Sequence, residues 1–84
     1  MKLPVIKHIN QFIKENDEDY IQESIEVLEH ISTFPRINDQ ELDVIGELLS
    51  NLYGSLEVQK MIQSGKNERE ALNDFMKRVC DSID

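Results

Sequence analysis

Tryptophan is absent from this sequence, cysteine occurs once, and 84 residues hold only three glycines and two prolines. So few turn formers exclude a loop-rich or all-β chain. A lone cysteine excludes the paired-disulfide framework of a small secreted domain. No apolar run approaches the roughly 20 residues of a membrane-spanning helix. The opening MKLPVIKHIN lacks the apolar core and small-residue cleavage site of a signal peptide. The expected location is therefore the cytoplasm. Positive charge is also scarce: nine Lys and Arg against 17 acids leave a net charge of −8. That opposes non-specific binding to nucleic acid, which rests on neutralising phosphates, and binding to anionic membrane surfaces. Neither nucleic acid nor membrane is an expected partner, whereas a basic protein surface is compatible.

What the chain does have is helical periodicity. Asn38 to Ser64 is the organising stretch, with Asn38 as N-cap and Glu41 three residues on, the spacing of a capping box. Leu42, Ile45, Leu49, Leu52 and Leu56 alternate steps of three and four. With Leu48 and Tyr53 they make one apolar stripe. Near Gly54 the stripe changes phase, so that Val58, Met61 and Ile62 fall nearly opposite. Either the helix breaks at Gly54, or one long helix buries both sides. The expectation is the unbroken helix. It would run about 39 Å at 1.5 Å per residue, against a diameter of about 30 Å for a compact chain of this size.

Three further helices are expected around it, giving an all-α, single-domain, four-helix bundle-like fold near residues 3–15, 18–32, 39–64 and 68–82. Pro4 suits the first turn of the first helix. Val5, Ile6, Ile9, Phe12 and Ile13 share its apolar face. The second helix carries Tyr20, Ile21, Ile25, Val27, Leu28 and Ile31 on a broad apolar face, and Phe34-Pro35 stops it. Gly65 ends the central helix. Asn67 and Glu70 form a second capping box, and Ala71, Leu72, Phe75, Met76, Val79 and Ile83 line the last helix. The expected core includes Ile9, Phe12, Ile25, Leu28, Ile45, Leu49, Leu52, Leu72, Phe75 and Val79.

No catalytic residue and no cofactor or metal site is expected. Nothing resembles a P-loop, a nucleophile elbow or a zincin motif. Seven acids and no base occur between Lys14 and Arg36. Glu23, Glu26 and His30 could ligate a divalent metal. Di-metal bundles, however, use inward-facing Glu with Glu-x-x-His, and these residues lie on the polar face with Glu26 and His30 four apart. His8 has no second ligand at helical spacing. Lys60, Lys66, Arg69, Lys77 and Arg78 flank a helix–turn–helix, but Glu68, Glu70 and Asp74 interleave with them. Cys80 near Lys77 is a candidate redox thiol, yet no CxxC or second cysteine accompanies it.

The segments MKLPVIKHI, KENDEDYI, ELDVIGELLSNLYGSLEVQKMI and EALNDFMKRV resemble a family of small cytosolic proteins from Bacteroidetes, classed as a domain of unknown function. The resemblance covers the whole chain and transfers no catalytic or binding residue. It also implies a neighbourhood of thioredoxin or peroxiredoxin genes, hence a thiol-system accessory using Cys80 as one alternative. A carboxylate/His metal-binding bundle is the other. The leading expectation is a non-enzymatic interaction or assembly module, forming a homodimer through the central helix. Gly46, Ser50, Tyr53, Gly54, Val58, Met61 and Ile62 are its candidate contacts, because a chain this short has a marginal core of its own.

Overall fold

The computed structural model describes residues 2–83, and side chains as far as Val79. Four helices follow one another: α1 (Leu3–Glu15), α2 (Asp19–Ile31), α3 (Asp39–Gln63) and α4 (Glu68–Ile83). No strand occurs among the described residues. The central helix is unbroken through Gly54, and the other three pack on it.

The helix ends follow local chemistry. Asn38 accepts from the Glu41 N–H at 2.8 Å, and the Glu41 carboxylate accepts from the Asn38 N–H at 3.1 Å, so the capping box is complete. At the other end of α3, Lys66 N–H donates to the Met61 carbonyl and Gly65 N–H to the Ile62 carbonyl. This six-residue closure needs a left-handed residue, which Gly65 supplies at φ 115°. Asn67 then caps α4, accepting from Glu70 N–H at 2.8 Å.

Cross-links fix the directions. Lys2 N–H donates to Asn51 Oδ1 at 2.8 Å, and Asn10 Nδ2 donates to the Ser55 carbonyl at 3.0 Å. α1 therefore runs parallel to the second half of α3, starting beside Asn51. Tyr53 Oη donates to Glu29 at 2.9 Å, while Glu18 at the start of α2 lies beside Gln59 and Gln63, so α2 returns antiparallel along α3. α4 also runs antiparallel, with Arg78 bonded to Glu57 at 3.1 Å.

Two apolar clusters result. Ile6, Val58, Ala71, Leu72 and Phe75 form one, where α1 and α4 meet α3. Ile13, Ile21 and Ile25 form the other, with Ile9, Leu49, Leu52 and Leu56 against them. Of the expected core, Ile25, Leu72 and Phe75 are buried; Ile9, Leu28, Ile45, Leu49, Leu52 and Val79 are half-buried. Phe12 is not core: it is 43% exposed, with its ring edge-on to Tyr20 at 5.9 Å between centroids. It lies on the flank of α1 that points along α2, and α1 and α2 scarcely touch. The polar residues Asn10, Asn51 and Ser55 are buried instead. The molecule is flat, with extents of 43 × 35 × 17 Å and a radius of gyration of 13.8 Å. A compact chain of this length would have about 12 Å.

Candidate functional site

The expected contact residues of α3 separate into two groups. Val58 is fully buried and Gly54 is closed off within the chain: a Cβ on Gly54 would lie 2.9 Å from Ile6 Cδ1 and 3.1 Å from Phe75 Cζ. Met61 and Ile62 are half-buried against the same cluster. These four are intramolecular packing positions, because α1 and α4 together cover the side of α3 opposite its leucine stripe. Gly46 and Tyr53 are exposed and Ser50 is half-buried.

A different part of α3 is left open. Val44, Leu48, Asn51, Ser55, Val58 and Ile62 follow steps of four and three, so they share one seam. Among the described residues, the α1 segment covers this seam only from Asn51 onward. Before that point Val44 is 60% and Leu48 45% exposed.

The neighbouring helix widens the opening. On α2, Ile21 and Ile25 face α3, while Tyr20, Val27 and Ile31 are 55%, 58% and 43% exposed. These three recur at i, i+7 and i+11, one line along the helix. Glu29 falls about 180° from that line, at 100° per residue. Because Glu29 binds Tyr53, the line Tyr20–Val27–Ile31 must lie on the other flank of the α2–α3 contact. Leu48 stands five residues before Tyr53, about 140° away, and so occupies that same flank. The Phe12–Tyr20 ring contact brings α1 to it as well. Nine large apolar side chains are more than a third exposed among the described residues. Six of them, Phe12, Tyr20, Val27, Ile31, Val44 and Leu48, share this side. A shallow depression of about 470 Å³ lined by Tyr20, Glu23, Ser24, Val27 and Leu28 marks its outer edge.

Acids outnumber bases in this region. Residues 15–47 contain eleven of the 17 acids and one base, Arg36. Among the described residues, ion pairs join Lys14 to Glu68, Lys60 and Arg78 to Glu57, and Lys66 to Asp74. Asp19, Glu23 and Glu26, on the solvent side of the Tyr20–Val27–Ile31 line, are exposed and take part in none of these pairs.

The other sequence candidates do not assemble. Glu23, Glu26 and His30 are exposed. No group of three His, Cys, Asp or Glu residues able to hold a metal exists among the described residues. His8 is exposed. Three of the basic residues around the α3–α4 turn, Lys60, Lys66 and Arg78, are paired with carboxylates. The Cys80 side chain lies outside the described residues. No helix among the described residues is long and apolar enough to cross a membrane. A cleft of about 640 Å³ between the starts of α1 and α4 is mostly apolar, with Lys7, Glu68 and Arg69 at its rim. It brings no nucleophile or acid–base pair together.

The described residues thus form an all-α, four-helix chain with an open apolar face. Residues 1–84 match the model of a family described as "Family of unknown function (DUF6952)", and the chain belongs to that family. No curated protein and no solved structure matches the chain.

Proposed function

We propose that this protein is a non-enzymatic interaction module that works in the cytoplasm and docks another polypeptide on the open face between α1 and α2. One observation carries the reading: the apolar seam of α3 continues for two turns past the end of its cover. Isolated surface leucines and valines are ordinary, but a contiguous apolar face rimmed by charge marks an interaction site. A second chain laid there would remove Val44, Leu48, Val27 and Ile31 from water, at about 25 cal/mol per Å² of apolar area.

The test is site-specific photo-crosslinking in the native cell. A photoreactive side chain replacing Leu48 is expected to give one discrete adduct, and the same group replacing Lys77 on α4 none. Equal labelling at both positions, or no adduct at Leu48, would remove the reading. Thiol-accessory and metal-bundle roles predict instead a dependence on Cys80 or His30, which Cys80→Ser and His30→Ala variants would reveal.

A further inference from the structure

We infer that the occupant of this face is a basic amphipathic helix of a partner protein, lying along the uncovered end of the α3 seam between α1 and α2. The inference rests on the docking reading above and adds the chemistry of the ligand. Two observations carry it. The first is shape. The floor and walls are helix surfaces with apolar residues at helical spacing, and α1 itself shows how this seam is filled: by a helix, parallel to α3, from Asn51 onward. A guest helix with anchors at i, i+3, i+4 and i+7 would continue that packing over Leu48 and Val44.

The second observation is charge. Glu23 lines the outer edge of this face, and Asp19 and Glu26 stand beyond it on the solvent side of α2, all three without an ion pair among the described residues and inside a stretch of eleven acids and one base. Lys and Arg on the flanks of a guest helix meet these carboxylates as its apolar stripe enters. A second copy of this chain is the rival occupant. It would bring the same acidic stretch against itself, and like charges juxtaposed across an interface oppose docking. Complementary charge also accelerates encounter and makes binding weaken with salt.

The experiment uses the full chain and three synthetic peptides of about four turns. The first has leucines at i, i+3, i+4 and i+7 and lysines on both flanks; the second has glutamates for the lysines; the third has the first one's composition in scrambled order. Titration calorimetry at low and high salt reads binding, and sedimentation reads the mass of the protein alone. The lysine peptide is expected to bind in the micromolar range and to weaken with salt, with the other two at least about tenfold weaker. Leu48→Glu and Val27→Glu should each weaken it by about tenfold or more, and Asn73→Glu, the same added charge on α4, by less than about twofold.

If the scrambled peptide binds equally well, or Asn73→Glu acts as strongly as Leu48→Glu, the attraction is charge alone and the inference falls. A two-chain mass that Leu48→Glu returns to one chain would make a second copy the occupant. That overturns the basic helix while keeping the docking reading. If Leu48→Glu and Val27→Glu alter neither peptide binding nor self-association, the docking reading falls with it.

Discussion

The seam of α3 contains two stretches whose composition and burial are inverted. Asn51 and Ser55 are polar and buried; Val44 and Leu48 are apolar and exposed. Hydropathy alone would reverse them. What decides burial is where α1 begins. Lys2 N–H on Asn51 and Asn10 on the Ser55 carbonyl supply directional bonds across the covered stretch. Such bonds pin one register, as buried polar groups do at helix interfaces. The uncovered stretch offers apolar area instead: Val44 and Leu48 are exposed among the described residues. Fold specification and an open apolar surface are thus placed side by side on one helix.

The largest effect expected from this comparison is in stability. Phe75→Ala empties a site that is 3% exposed in the cluster over Val58, and should cost about 3–5 kcal/mol. That is a large share of the total of about 4–13 kcal/mol for a chain of this size, at 0.05–0.15 kcal/mol per residue. Leu48→Ala should fall within about 0.5 kcal/mol of the parent. Urea denaturation checks both. A Leu48→Ala loss comparable with that of Phe75→Ala would mean that the face is already covered within the chain, and the comparison would break.

The two helical glycines give a smaller effect of opposite signs. Gly46 and Gly54 both sit inside α3, where alanine is favoured by about 1 kcal/mol on backbone grounds. A Cβ on Gly46 meets nothing within 4 Å among the described residues, so Gly46→Ala should stabilise by about 1 kcal/mol. On Gly54 it would press on Ile6 and on the Phe75 ring, both buried. Overpacking of about 1–3 kcal/mol outweighs the propensity gain, and Gly54→Ala should destabilise by about 1 kcal/mol. Equal shifts of the urea midpoint for the two variants would show that Gly54 is not closely packed.

These pairs also show what was legible in the sequence. The four helices, the unbroken α3, the Asn38–Glu41 box and the Gly65 stop follow from periodicity and capping, which are local. The phase change at Gly54 correctly signalled that α3 buries two sides. It did not say that the same chain covers the second side, because packing Ile6 and Phe75 over Gly54 requires knowing where α1 and α4 land. The seam through Val44, Leu48, Asn51 and Ser55 was hidden for a different reason: two of its buried members are polar, so a search for apolar stripes skips them. Phe12 continues the apolar face of α1 in the sequence, yet it stays outside the core. That face is wider than the contact α1 makes, and its excess width is part of the open site. The apolar face of α2 is likewise wider than its contact, and Tyr20, Val27 and Ile31 are the excess.

The smallest effect tests the sidedness on which the site depends. Tyr53 Oη donates to Glu29 at 2.9 Å on the flank of the α2–α3 contact away from Leu48. That hydrogen bond, with lesser contributions from desolvation and from the Glu29 charge, raises the Tyr53 pKa above its ordinary value. The raised value belongs to the folded state. The stabilisation is therefore fully present below the unfolded tyrosine pKa of about 10, and is lost as pH rises through the folded value. In a Tyr20→Phe background, which leaves Tyr53 as the one tyrosine, phenolate absorbance should report a midpoint above about 10. Glu29→Gln should return it toward the ordinary value, and Leu48→Glu should leave it where it is. If Leu48→Glu moved the midpoint as much as Glu29→Gln does, the two residues would share a flank. The open face would then not lie on the α1 side of α2.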